Sequence, residues 1–374
     1  MQFIDLHRQY EKIEEDINKR LKKVLDEKHF IMGPEIFELE EKLAKYTNRK
    51  YCLSCSSGTD ALVIPLLAYD LKETDAVFVP SFTFFASAES VNIAGATPVF
   101  VDSDETYNID VQKLEEAIIN TKNEGKLTPK GIIAVDLFGL SANYDELTKI
   151  AEKYGLFLLE DAAQGFGGTI NGKPNCSFGD VAATSFFPAK PLGCYGDGGA
   201  IFTDNDELYE KMQSIRVHGQ GTSRYDNVRI GMNGRMDTMQ AAILLSKLEI
   251  FDEELKAKIE IAKTYTELLK DSFVTPTIPE NCVSAYAQYS LLAKDEEQRN
   301  AIVEGMKAFD IPIMVYYAVP MHMQTAYKYL NYDASDLPKC EDYSKRIFSL
   351  PMHAYLTKEE IVDITTKLKS FCWG

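Results

Sequence analysis

Apolar residues recur at helical spacing near the start of the chain, where Ile13, Ile17, Leu21, Val24 and Leu25 fall on one face of a segment from about Gln9 to Lys28. Pro34, a favourable first-turn residue, predicts a second helix that buries Ile36, Leu39 and Leu43. From Tyr51 to Ala200 the period changes. Short apolar runs, YCLSCS, AVFVP, PVFVD, GIIAVDLFG, LFLLED, VAATSF and GAIFT, alternate with helical stretches, the pattern of an α/β domain around a mostly parallel sheet. After Arg235 a long helical stretch meets no strong breaker before Pro276, enough to bridge two domains. Beyond it, strand-like AQYSLLA and PIMVYY, with helical stretches near 295 to 309 and 357 to 370, predict a smaller α/β unit. The expected division is a large domain over 1–240, including the N-terminal helices, and a smaller C-terminal domain over 241–374.

With 374 residues, 45% of them hydrophobic and 26% charged, the chain has the make-up of a globular protein with a sizeable core. Its formal charge of -17 argues against nucleic acid and anionic membrane surfaces as partners. Any anionic ligand therefore needs a local site. No apolar run has membrane-spanning length and MQFIDLHRQY lacks the order of a secretory signal, so the cytoplasm is the expected location. Seven cysteines, an odd number, do not resemble a disulfide framework. Cys52 and Cys55 form a CxxC without a second pair or histidines beside it, so small buried hydrophobes are expected there and no metal.

In sheets of this kind ligands sit beyond the carboxyl ends of the strands, and the candidate chemistry lies there. After YCLSCS, Ser57-Gly58-Thr59-Asp60 reads either as a plain capped strand-to-helix turn or as a turn whose glycine and free amides admit a phosphate. After AVFVP, Ser81-Phe82-Thr83-Phe84 brings aromatics to the mouth of the sheet, for the core or for stacking on a flat ring. Asp161 ends LFLLED and is followed by Gln164; its carboxylate suits either a cap or a protonated pyridine nitrogen. Ser185 ends VAATS with a hydroxyl in reach of the same phosphate. Lys190, in SFFPAKPLGCYGDGGA, is framed by apolar and rigid neighbours in a turn between two strand-like runs, where its amine can form a Schiff base with a carbonyl. Together these residues suggest an enzyme built around pyridoxal 5'-phosphate (PLP).

FIDLHRQY, GPEIFELE, SSGTDAL, PSFTFFAS, EDAAQGFG, SFFPAKPLGCYGDGGA, RVHGQG, GMNGRMDTMQAA, PMHMQTAY and SLPMHAYL span nearly the whole chain. Through them it resembles the DegT family of sugar-nucleotide aminotransferases, which implies the aspartate aminotransferase fold (PLP fold type I) and a PLP-dependent homodimer. By motif, the resemblance makes Lys190 the lysine that holds the cofactor and shuttles the proton. Asp161 becomes the ring-nitrogen partner, Gln164 a donor to the phenolic oxygen and Phe84 the stacking ring. Gly58, Thr59 and Ser185 would bind the phosphate, joined by Asn233 from the neighbouring subunit. Many relatives carry histidine before the tyrosine of Val315-Tyr316-Tyr317; Tyr316 stands there in this chain.

The implied reaction moves an amino group from glutamate to the ketone of a nucleotide-linked sugar. The forms SFFPAKPLGCYGDGGA and RYDNVRIGMNGRMD look closest to the branch that aminates C3 of UDP-linked 2-acetamido-3-keto-hexuronic acids for surface polysaccharides. In that branch Arg229 is a candidate for the uronate carboxylate or for a surface salt bridge, and Tyr317 a candidate substrate contact. His218 reads equally as a substrate neighbour or a packed loop residue. The rival readings are an aminotransferase for a dTDP-linked 3-keto or a 4-keto-6-deoxy sugar, and a non-catalytic sugar-nucleotide sensor. A related sugar dehydratase would carry histidine in place of Lys190.

Overall fold

Asp5 starts the first helix, its carboxylate accepting the Arg8 backbone N–H at 3.0 Å to cap α1 (Leu6–Glu27). α1 buries Ile13, Ile17 and Val24, whereas Leu25, a further 100° or so around the axis, is 52% exposed and not on the expected face. Pro34 opens α2 (Pro34–Thr47), and Ile36, Leu39 and Leu43 are buried as predicted. The computed structural model describes residues 1–223 and 225–372.

Strand and helix then alternate through β1 (Tyr51–Cys55), α3 (Gly58–Ala68), β2 (Asp75–Pro80), α4 (Ala86–Ile93), β3 (Thr97–Val101), α5 (Val111–Glu124) and β4 (Thr128–Val135). They continue with α6 (Tyr144–Tyr154), β5 (Phe157–Asp161), the short β6 (Thr169–Ile170) and β7 (Lys173–Pro174), β8 (Val181–Ser185), β9 (Gly199–Thr203) and α7 (Asp206–Arg216). Seven strands form one sheet in the order β1-β9-β8-β5-β4-β2-β3. Five of them pair in parallel, and β9 runs antiparallel between β8 and β1. Helices cover this sheet, so β8 and β9 are buried along their whole length and read as apolar runs, not as alternation.

Helix α8 (Thr238–Leu269) serves two cores. Ala241, Leu244, Leu245 and Phe251 pack with Phe186, Leu192 and Phe202 of the large domain. Further along, Ile261, Tyr265 and Leu269 pack in a second core with Tyr289, Ile302 and Phe348. After α8, β10 (Cys282–Val283) pairs back on β6. The smaller unit contains β11 (Tyr289–Leu292), α9 (Glu296–Lys307), α10 (Pro338–Arg346), β12 (Ile347–Leu350) and α11 (Lys358–Lys369), with β11 and β12 antiparallel.

PIMVYY is not the strand that its composition suggests. Only Met314 makes a β-bridge, to Ser349, before the chain carries Tyr317 to the aromatic rings of Phe82 and Phe84. Edge contacts to the large domain take the place of a ladder. Cys52 and Cys55 are buried free thiols, and burial pushes both pKa values upward. No helix among the described residues is long and apolar enough to cross a membrane.

Candidate active site

The carboxyl ends of β1, β5 and β8 and the loop after β2 open into one cavity of about 460 Å³. At its floor Ser57 caps α3, the hydroxyl accepting the Asp60 N–H at 3.0 Å. Capping and ligand binding are compatible here. Gly58 and Thr59, both at the cavity wall, carry first-turn amides that have no intrahelical acceptor and suit an anion. Ser185 closes the other side, and a Cβ on Gly58 would lie 2.5 Å from Ser185 Cβ and 2.8 Å from its hydroxyl oxygen. Only glycine permits this approach. Gly58→Ala is expected to weaken cofactor affinity about 10- to 100-fold, the effect of 1–3 kcal/mol of overpacking, while leaving helix α3 intact. Absorbance titration of the apoprotein with PLP measures this, and an unchanged dissociation constant would count against the cradle.

Asp161 is buried at the end of β5. One carboxylate oxygen accepts the Ser87 hydroxyl at 2.7 Å and the other the Ala163 N–H at 3.2 Å. Burial raises its pKa, opposed by those two hydrogen bonds and by the charge of Lys190. Lys190 follows a tight turn in which its N–H donates to Phe187 O at 2.8 Å. Desolvation lowers its ammonium pKa, and Asp161 pulls it back up. Each group is thus part of the other's electrostatic surroundings, an acid and an amine across one cavity. The amine is the more available as a base because burial favours its neutral form.

Gln164 is clamped between the Phe138 N–H, which donates to its carbonyl oxygen at 2.7 Å, and the Tyr317 hydroxyl, which accepts from its amide nitrogen at 2.9 Å. Burial raises the pKa of the Tyr317 phenol, which keeps it protonated. Phe84 is 52% exposed at the cavity wall, where its ring is free to offer a face to a flat ligand.

Gly58, Thr59, Phe84, Asp161, Gln164, Ser185, Lys190 and Tyr317 therefore meet in one cavity. Asn233, His218 and Arg229 do not join them within a single chain. They lie on an exposed excursion pinned by bridges from Val217 to Asn233 and from Gln220 to Asn227. Arg229 lines a separate groove with Asp70 and Lys211 and makes no salt bridge among the described residues. His218 is exposed, not packed.

Sequence reading overlooked Ser87, Asp197 and Gln288, all at the cavity wall. Ser87 stands four residues after Thr83, and the two hydroxyls are 3.1 Å apart; that helical spacing toward the strand ends was the available signal. Asp197 sits between glycines and reads as turn chemistry.

Amides at a helix start, a hydroxyl beside them, a buried carboxylate, an exposed aromatic face and a desolvated amine fit a phosphorylated pyridine aldehyde. They define the class of PLP-dependent enzymes. The chain belongs to the DegT/DnrJ/EryC1/StrS aminotransferase family, whose profile matches residues 11–369, and the enzymes of this family use PLP. It is 44% identical to a Pseudomonas aeruginosa UDP-2-acetamido-2-deoxy-3-oxo-D-glucuronate aminotransferase, over 98% of this chain and 99% of that one. It is also 39% identical to a Geobacillus stearothermophilus pleiotropic regulatory protein, covering 98% and 97% of the two chains. Among solved structures, a DegT DnrJ EryC1 StrS aminotransferase from Brucella abortus superposes with a TM-score of 0.97 at 48% identity, with 100% of both chains covered.

Proposed function

We propose that this protein transfers the amino group of glutamate to the 3-keto carbon of a UDP-linked 2-acetamido-hexuronic acid, making an amino sugar for surface polysaccharide. It would act in the cytoplasm as a homodimer with shared active sites. The observation that carries the reading is the pairing of Lys190 and Asp161 across a cavity with an anion cradle at its floor. The 44% identity to an enzyme named for that uronate supports the choice of sugar.

Bound PLP supplies an electron sink for the carbon that loses its proton. Lys190 holds the cofactor at rest, and its Nζ takes a proton from the α-carbon of the donor and later delivers one to the sugar carbon. Asp161 would keep a proton on the ring nitrogen, Phe84 would supply a face for the ring and Gln164 a donor for the phenolic oxygen. Gly58, Thr59 and Ser185 bind the phosphate together with Asn233 of the partner subunit. Arg229 takes the uronate carboxylate, with His218 and Tyr317 beside the sugar. Val228 and Ile230, 54% and 89% exposed on the same excursion as Arg229, suit burial against a second copy.

The regulatory name of one relative keeps a sensor in view, yet a sensor needs neither a desolvated amine nor a ring-nitrogen carboxylate. The holoenzyme should be yellow and should bleach when glutamate is added. Incubation with glutamate and a panel of keto-sugar nucleotides, read by product mass, should show the 3-keto uronate aminated at least about tenfold faster than dTDP-linked 3-keto or 4-keto-6-deoxy sugars. Bleaching without any aminated sugar would remove the substrate assignment; a colourless protein in the presence of PLP would remove the enzyme.

A further inference from the structure

The stretch that carries Lys190 has a second charged neighbour on its far side. Lys247, Glu254 and Lys258 are spaced by seven and four residues along α8 and so share one stripe of the helix. They line a cavity of about 50 Å³ walled also by Ile4–Leu6 and Gln9, Pro188–Pro191 and Gly193, Ala287 and Met352–Tyr355. The two lysines are only 1% and 7% exposed. The Lys247 ammonium lies 4.5 Å from the centre of the Tyr195 ring. Neither its Nζ nor the buried Tyr195 hydroxyl has a hydrogen-bond partner among the described residues.

Glu254 is the natural counter-charge, but its oxygens are already engaged. Gln9 donates to both at 2.9 Å, and the Tyr355 hydroxyl donates to one of them. Neither lysine reaches a carboxylate within salt-bridge distance among the described residues, although Glu254 still acts on both through space. The other ionisable groups of the wall do not help: Lys190, which also lines this cavity, is a third amine and brings no negative charge. Asp5 is held by Arg8 at 3.2 Å and caps α1, and burial keeps the His353 ring neutral. Burial lowers both lysine pKa values to about 8, which still leaves them mainly protonated at neutral pH. Two ammonium groups thus share one committed carboxylate in a space several times the 10–15 Å³ or so that one water needs. A buried charge of this kind calls for a counter-ion.

We propose that this cavity binds one small monovalent anion of the size of chloride, held by Lys247 and Lys258. Its walls come from five separate stretches of chain, so the ion braces the N-terminal segment, the Lys190 loop and the C-terminal unit against α8. This cavity adjoins the PLP cavity, sharing Ala189 and Lys190 as a common wall, and the proposal stands whether or not the proposed sugar is correct.

Crystals of the holoenzyme grown or soaked in sodium bromide test it directly. An anomalous peak is expected within hydrogen-bonding reach of Lys247 Nζ, and it should vanish in Lys247→Met, which preserves side-chain length without the charge. At constant ionic strength the holoenzyme should also melt about 2–4 °C higher in chloride than in gluconate, an anion too large for the cavity, and Lys247→Met should erase that difference. Water-like density without anomalous signal in the wild type, or equal melting in the two salts, overturns the proposal. A peak that persists in Lys247→Met overturns the assignment of its ligand. The wild-type crystal stands alone as a test if the variant fails to fold.

Discussion

Lys190→Ala lowers transamination by about four orders of magnitude, the upper range for loss of a positioned proton-transfer group, and leaves the fold intact. The loss is large because one side chain both holds the cofactor and moves the proton. The fold survives because the amine fills no core position, and its lowered pKa means that burying it costs stability. The sign follows from linkage: a cationic group whose folded pKa is depressed destabilises the protein below its unfolded pKa, and fully so below its folded one. The cofactor-free alanine variant should therefore melt no lower than the cofactor-free wild type at neutral pH. Single-turnover rates, the visible spectrum and a melting curve check the three parts together. Partial rescue by a small amine in solution would separate loss of the base from loss of geometry. Turnover within tenfold of the wild type would show that Lys190 is not the reacting amine.

Asp161→Asn is the second large expected loss, about 100- to 1000-fold in turnover. Asparagine keeps the shape: its amide oxygen can still accept the Ala163 N–H, while its NH2 faces Ser87, whose hydroxyl can turn to accept from it. What goes is the negative charge that holds a proton on the ring nitrogen; an opposite charge at contact range is worth roughly 1–3 pKa units. The buried carboxyl already has a raised pKa, so its ionised form depends on Ser87, Ala163 and Lys190 for support. A spectral titration of bound cofactor should show ring-nitrogen deprotonation at lower pH in the variant. An unchanged titration with unchanged turnover would reassign Asp161 to capping its turn alone.

Most of the large-domain sheet was legible because each strand buried on both faces leaves a continuous apolar run, and the reactive residues follow those runs directly. Asp161, Ser185 and Gly58 could be placed for that reason. Ser87 was not, since its meaning lies in an acceptor 74 residues away at the end of β5, and the spacing from Thr83 was the one local sign of it. PIMVYY has strand composition, but its residues answer to Phe82 and Phe84 in the other domain, and tertiary contact overrides propensity. Leu25 fits a helical face on paper and faces solvent because Val24 already occupies the buried side. His218, Arg229 and Asn233 stand apart from the cavity of their own chain. The position of such residues relative to a second copy is not encoded in the periodicity of one.

The reversed direction of β9 bears on how such an enzyme diversifies. Ser185 and Gly199 are register partners, so the loop with Lys190 leaves and rejoins the sheet at the same rung. A Cβ on Gly199 would fall 2.3 Å from the Ser57 carbonyl oxygen, which locks that rung to the phosphate cradle. An insertion or deletion in this loop would displace the amine and the cradle together. The excursion around Arg229 is tied to its own base by Val228 N–H to Gly219 O and His218 N–H to Met232 O, away from this rung. A length change on the excursion would thus leave the amine and cradle of its own chain in register, whereas one in the Lys190 loop would not.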